Sequence, residues 1–424
     1  RYETLWLLTE AAANGRILWE PSWNSSLLAL FRDPDADVRY NSVVMLGDAV
    51  FAGKVDASVP PWNSTLLALL RDPDVDVRYE AVWMLGDAVR KGKVDLSAPP
   101  WNSLLLALLR DTDVDVRSDA VWVLDGVVRN GKVDASVPPW NSTLLALLNN
   151  TNVHVRSDAA WMLGDAVRKG KVDASVPPWN STLLMLLNNT NADVKSEAAW
   201  ALGDAIRNGK VDASVPPWNS TLLMLLNNTN ADVRNAAIWA LGDAVRKGKV
   251  DASVPPWNST LLALLRDTDA GVRYQAVWVL GDAVRNGNVD ASVPPWNSAL
   301  LTLLRDTNAN VNVRSVAASM LGDAVFTGKV DASVPPWNSA LLALLNDTNA
   351  HVRYNAVWVL DGVIRKGKVD ASVPPWNSTL LALLNNTDAD VRYAAVWVLD
   401  GVIRNGKVDV SVPPWNSTLL ALLN

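Results

Sequence analysis

The 424-residue chain has no cysteine, only two histidines and three phenylalanines, and no Lys/Arg cluster. Without cysteine there is no disulfide, thiolate metal site or cysteine nucleophile, and the redox compartment stays open. The formal net charge is −6 with both signs interspersed, which argues against a nucleic-acid groove built on clustered Lys and Arg. No basic amphipathic helix points to a lipid surface, and no apolar run approaches the roughly 18 residues of a membrane span. P-loop, GxSxG, HExxH and CxxC patterns are all missing. The first residue is Arg1 rather than Met, so a processed, truncated or partial product is expected.

What the chain has instead is repetition. VDASVPPWNS occurs eight times, from Val55 to the copy at Val369, with near-copies at Val94 and Val408. The Trp that follows the proline pair, or Pro-Ser in the first copy, falls at 23, 62, 101, 140, 179, 218, 257, 296, 337, 376 and 415. Every interval is 39 residues except 296 to 337, which gains two residues within Asn308–Val313. A fixed period of this length marks stacked supersecondary units. One array over 1–424 is expected: a partial repeat 1–22, ten repeats starting at Trp23 through Trp376, and a partial repeat 415–424.

Residues 62–100 serve as the type unit. Pro60-Pro61 opens a first helix, on which Trp62, Leu66, Leu69 and Leu70 share one face. Asp72-Pro73-Asp74 breaks it and supplies acidic residues to the start of the next. Val77, Ala81, Met84, Leu85, Ala88 and Val89 then predict the buried stripe of a second helix, which Gly92 ends with a left-handed cap. No two-residue alternation competes. One such hairpin cannot bury its own faces, so neighbours must stack, giving an all-α right-handed solenoid of about ten to eleven units.

The stretch LLALLRDPDVDVRYEAVWMLGDA (Leu66–Ala88) resembles a HEAT repeat, with Asp-Pro-Asp at the inter-helix turn and Val-Arg opening the second helix. The resemblance covers essentially the whole chain and implies a ladder of hydrogen bonds from repeat to repeat. Its rungs would be Asp33/Arg39, Asp72/Arg78, Asp111/Arg117, Asp267/Arg273 and Asp347/Arg353. Asn replaces the Asp at 150, 189, 228 and 386, and Lys195 replaces one Arg, so weaker rungs are expected there. The resemblance also implies that the second helices line the concave face, and it leans towards a cytoplasmic protein.

A catalytic site is a convergence of unlike residues, whereas nearly every titratable group here has equivalents in the other repeats. His154 and His351 occupy the same place five repeats apart and cannot share a metal. The Asp row of Asp48, Asp87, Asp125 and Asp165 reads as helix-surface residues of the kind paired with an Arg three positions on, such as Asp87 with Arg90. Neither an enzyme, a metal nor a cofactor is expected.

Comparing repeats with one another exposes the positions that vary. These are the two after Val-Arg, filled by Tyr40, Tyr79, Tyr274, Tyr354 and Tyr393, or by Ser or Asn, and then by residues such as Glu80 or Asp119. They flank a second Trp row: Trp83, Trp122, Trp161, Trp200, Trp239, Trp278, Trp358 and Trp397. Aromatic side chains and Arg on a concave face suit protein or peptide recognition. A packing role competes with this reading. Val44 and Ser319 replace the Trp in two repeats, and only those carry Phe51 and Phe326 seven residues on in place of Arg, as if aromatic bulk had moved along one face.

Two further expectations concern chemistry and assembly. Asn-Ser-Thr after the first Trp, as in Asn63-Ser64-Thr65, is an N-glycan acceptor pattern and leaves an extracellular home open. Arg1–Gly15 aligns with a second helix and the chain stops after a first helix, with leucines where terminal repeats usually carry polar caps. The leading expectation is a non-catalytic scaffold that binds protein or peptide along its concave face. The alternative is a structural protein whose uncapped half-repeats dock end to end with further copies into a filament or tube.

Overall fold

A computed structural model describes residues 23–421, apart from 52, 54, 57, 58, 98, 306–310, 405, 407, 410 and 412. The N-terminal half-repeat 1–22, the last three residues of the C-terminal half-repeat 415–424, and most of the two-residue insertion lie outside the described residues. The described residues form 21 α-helices and no strand, arranged as the hairpins of an α-solenoid. The chain divides into two compact units, Arg1–Val211 and Asp212–Asn424. Each contains five hairpins, beginning at Trp23 and at Trp218 respectively, and the second unit adds the helix Trp415–Ala421. Within each unit the main helix contacts join the two helices of one hairpin or equivalent helices of adjacent hairpins.

Local chemistry explains each hairpin. In the type unit the first helix runs Trp62–Leu69, with Pro61 at its N-cap; the Pro60–Pro61 peptide is cis. Trp62, Leu66, Leu69 and Leu70 are all buried on one face. The second helix runs Val75–Arg90, and the Asp74 side chain caps it by accepting from the amides of Asp76 and Val77 at 3.1 and 3.2 Å. Val77, Ala81, Leu85 and Ala88 are fully buried, and each large apolar side chain so placed contributes about 1.5–3 kcal/mol.

Gly92 has φ +69°, and among the described residues the equivalent glycines have φ between +65° and +78°. No atom lies within 4 Å of where its Cβ would be, so Gly92→Ala meets no clash and is charged only for the left-handed backbone. That substitution should cost about 1 kcal/mol, read as a lowered urea midpoint. Gly164 has a different reason: its Cβ would sit 3.4 Å from Ala201, where second helices approach closely.

The recurrent loop is fixed by its own side chains. Val133, Ala135 and Trp140 are buried. Between them Asp134 accepts from the Ser136 amide at 2.8 Å and from its hydroxyl at 2.6 Å, holding the turn. Equivalent Asp residues reach the Lys of the following repeat, as Lys210–Asp173 at 2.8 Å and Lys249–Asp212 at 2.9 Å. Copying the loop therefore copies an inter-repeat contact. The Asn-Ser-Thr motifs fall in the first turn of the first helix, where Thr143 is buried and donates to the Pro139 carbonyl at 2.9 Å.

Candidate functional site

The inter-helix turn carries the Asp/Arg ladder. Arg78 donates two bonds to Asp111 of the next repeat, Nε to Oδ2 and Nη2 to Oδ1, both 3.0 Å. Its Nη1 donates to the carbonyls of Asp72 and Pro73 in its own turn at 2.8 and 3.1 Å. Thus the six-apart pair is joined through backbone, while the charge pair spans repeats. Arg39–Asp72 and Arg234–Asp267 repeat the fork, at 2.9 and 2.8 Å, and Arg314–Asp347 is a longer version.

Where Asn replaces Asp the fork fails in a specific way. Nε of Arg117, Arg156 and Arg353 is buried with no partner, opposite Asn150, Asn189 and Asn386. The Asn Oδ1 still accepts from the amide two residues on, as in Asn152 to Asn150 at 2.9 Å, and at Asn386 also from Arg353 Nη2 at 3.0 Å; what is lost is the second oxygen, whose place Nδ2 takes. A carboxylate would offer a second acceptor, whereas the Asn amide presents a donor to a donor. Arg273 bonds the carbonyls of Asp267 and Thr268, and Arg353 those of Asp347 and Thr348.

The Asp48-type row departs from the sequence expectation. Asp125, Asp165, Asp204, Asp243, Asp282 and Asp361 are buried rather than helix-surface residues. The i,i+3 pairing holds where the order is Gly-Asp, as in Arg90–Asp87, but in Asp-Gly repeats the Arg is four away, as in Arg129–Asp125 at 2.9 Å. Moreover, the Arg also reaches the next repeat: Arg129 to Asp165 at 2.9 Å, Arg246 to Asp282 at 2.6 Å. The row is a second inter-repeat ladder, hidden because close packing of the second helices covers it.

The second-helix face has an aromatic surface. Trp83, Trp122, Trp200, Trp278 and Trp397 are exposed; Trp161, Trp239 and Trp358 are half-buried. Tyr40, Tyr79, Tyr274 and Tyr354 are half-buried and Tyr393 is exposed. Tyr274–Trp278 and Tyr354–Trp358 meet edge to face within one helix, with centroids 6.3 and 6.0 Å apart. Trp122 and Trp161 touch across repeats at 4.5 Å, and the Arg129 guanidinium lies 5.2 Å from the Trp161 ring.

Trp83, Trp122 and Trp161 line an open cavity of about 460 Å³ together with Asp119, Asp125, Arg90 and Arg129. In the second unit Ser319, with no Trp, contributes to a cavity of about 630 Å³ beside Trp358 and Phe326. Phe51 and Phe326 do not replace the missing Trp packing: they are 68% and 78% exposed. Their position lies in the last helical turn, where Lys91 and Lys366 of the next repeat reach back to the helix-end carbonyls and pass over the rings at 4.0 and 5.8 Å.

One feature of this face was in the sequence and escaped the repeat comparison. In four successive repeats the second variable position is acidic: Glu80, Asp119, Asp158 and Glu197. Burial pushes all four carboxyls up, Asp119 to about 6. Neighbouring carboxylates add to it, Asp115 and Asp158 for Asp119, offset in part by a hydrogen bond from the Trp83 indole. Conversely, loop carboxyls such as Asp173 and Asp212 are held down to about 2, by Lys210 and Ser175 and by Ser214 and Lys249.

These opposite shifts set the pH response. A raised folded pKa means that the native state binds more protons than the unfolded chain between about pH 4 and 6, so stability rises as pH falls through that window. Depressed pKa values give stability that is lost as pH falls from about 4 to 2. The thermal midpoint should therefore rise from pH 7 to about 4.5 and drop below 4, and Asp119→Asn should flatten the rise. A midpoint that declines steadily from pH 7 would contradict this. Asp115, Asp158, the Trp83 N–H, Asp125, Arg90 and Arg129 are the polar groups around Asp119.

Among the described residues no group of three or more His, Asp or Glu side chains could hold a metal, and no helix is long and apolar enough to cross a membrane. A family model described as HEAT repeats matches residues 24–124 and 219–295. No curated protein sequence matches the chain. Among solved structures, an engineered protein matches 89% of this chain and 98% of its own at 24% identity and TM-score 0.53. Yeast importin-beta (Kap95p) matches at 16% identity and TM-score 0.61, and a chain of the Kap95p–RanGDP structure at 16% and 0.62. Each alignment covers 88% of this chain and 52% of the other, so this chain spans about half their length. At these identities the likeness is one of fold.

Proposed function

We propose, from the premise that this chain is a HEAT-repeat protein, that it is a scaffold whose second-helix face docks protein or peptide. The supporting observation is where the repeats differ. The loops and much of the core are copied nearly unchanged; apart from the Asp/Asn exchanges at the inter-helix turn, variation concentrates on the second helices beside the Trp row, five of whose eight members are exposed. Solvent-facing tryptophan in five repeats, Trp83 and Trp122 in adjacent ones, has a hydration cost that a partner would relieve. Importin-beta, a fold neighbour, is described as binding Ran, which is consistent with a protein partner for this architecture. End-to-end assembly has no comparable support, because one side of that contact, residues 1–22, lies outside the described residues.

Selection of a peptide-display library on the intact chain tests the reading. Enriched peptides should lose binding at least tenfold to Trp83→Ala/Trp122→Ala while helicity is retained. No enrichment, or peptides that depend instead on first-helix positions such as Ser64 and Ala68, would overturn it.

A further inference from the structure

We propose that the second-helix face of the first unit takes a cationic segment, an extended stretch of chain bearing several Lys or Arg side chains. This rests on the docking role above and adds the chemistry of the occupant. The acidic row Glu80, Asp119, Asp158 and Glu197 is charge that the fold does not need. At the same position the other repeats carry Asn41, Ala236, Gln275, Val316, Asn355 and Ala394, so hairpin packing tolerates neutral residues there.

Acid at this place is also unfavourable to the isolated chain. Asp76/Glu80, Asp115/Asp119 and Asp193/Glu197 are like-charged pairs four residues apart, which destabilise a helix by a few tenths of a kcal/mol each. The first member of each pair sits in the first turn, where the helix dipole favours it; the second lies beyond that influence. All three pairs are in the first unit, and the second unit has none. Among the described residues no Lys or Arg forms an ion pair with Glu80, Asp119, Asp158 or Glu197, and Oδ2 of Asp119 is buried without a partner. Asp158 accepts a hydrogen bond from Ser118, and His154 lies near it without bonding it.

The aromatic surface beside this row favours the same occupant. Trp83, Trp122 and Trp161 line the cavity that Asp119 borders, and Trp faces attract cations. The protein itself sets Arg129 over Trp161. Arg90 and Arg129 of the cavity are already paired with Asp87, Asp125 and Asp165, so the unpaired charge on this face is negative: an anionic partner would be repelled, and an uncharged one would leave the carboxylates desolvated and unpaired. Packed helices are spaced by roughly 8–10 Å. An extended polyproline-II strand repeats its face every three residues, about 9.3 Å. A cation at every third residue would thus meet about one acidic side chain per repeat.

The test uses the full chain and two fluorescein-labelled twelve-residue peptides, Arg-Pro-Ser repeated four times and the same peptide with Glu for Arg, read by fluorescence anisotropy. The Arg peptide should bind and the Glu peptide should not. Asp119→Asn/Asp158→Asn should weaken binding at least tenfold, whereas Asp232→Asn/Asp390→Asn in the second unit should change it less than twofold. Circular dichroism checks folding, and Glu80→Gln/Glu197→Gln gives an independent second pair. Equal weakening by both Asp pairs, no binding of the Arg peptide, or binding of the Glu peptide would overturn the proposal. If the display library yields uncharged peptides that need Trp83 and Trp122, the docking role stands and the cationic occupant falls; if it yields nothing, both fall.

Discussion

Replacing Arg78 by Met should destabilise the first unit by about 3 kcal/mol, at the lower end of what breaking a buried ion pair costs. The guanidinium and the Asp111 carboxylate are each only 13% exposed. Methionine fills similar volume, so little of the loss is packing. It leaves the Asp111 carboxylate without its two-bond partner and strips donors from the carbonyls of Asp72 and Pro73. Arg117→Met is the internal control. That Arg bonds the carbonyls of Asp111 and Thr112 but faces Asn150, so its removal orphans no carboxylate and should cost about 1 kcal/mol. Urea unfolding followed by circular dichroism measures both, and equal costs would show that the inter-repeat charge pair contributes nothing.

The reverse change should stabilise. Asn150→Asp and Asn189→Asp each supply the acceptor that buried Nε of Arg117 and Arg156 lacks. The existing geometry accommodates the carboxylate: Asn150 already accepts from the Asn152 amide at 2.9 Å, as Asp111 accepts from Asp113 at 2.9 Å. Satisfying a buried donor and adding a charge-assisted bond is worth about 1–3 kcal/mol per site. The two sites are neighbouring rungs joined through Arg156, which donates to the Asn150 carbonyl at 2.6 Å, so a double-mutant cycle should show coupling between them. A raised thermal midpoint for each and a larger rise for the pair is the expected result, and an unchanged midpoint would mean that water already serves these nitrogens.

The features readable from sequence were those fixed within one repeat. The 3.6-residue spacing of Val77, Ala81, Leu85 and Ala88 gave the buried stripe, Asp74 the cap and Gly92 the left-handed turn, because each depends on residues a few positions away. What stayed hidden depends on how one repeat is rotated onto the next. Asp125 looks like a helix-surface residue in a single hairpin; it is the neighbouring second helix that buries it. Phe51 looks like a substitute for the Trp missing at Val44, yet the next repeat's Lys91, not a packed core, meets its ring.

Repeat comparison had the same blind spot at the candidate site. Glu80, Asp119, Asp158 and Glu197 were visible as variable positions, but their common charge matters only once stacking aligns them. Tyr and Trp took precedence because aromatic residues dominate interface energetics. Of the aromatic positions, Tyr393 and five of the eight tryptophans are exposed; the others are half-buried, several against one another.

The most direct test of an open aromatic face opposite a closed one is hydroxyl-radical footprinting of the free protein, with oxidation of each Trp read by mass spectrometry. Trp83, Trp122, Trp278 and Trp397 should oxidise rapidly, while Trp62, Trp179, Trp296 and Trp415 on the first helices stay protected. Uniform oxidation of both rows, or protection of the second-helix row, would contradict the stacking and the docking surface together.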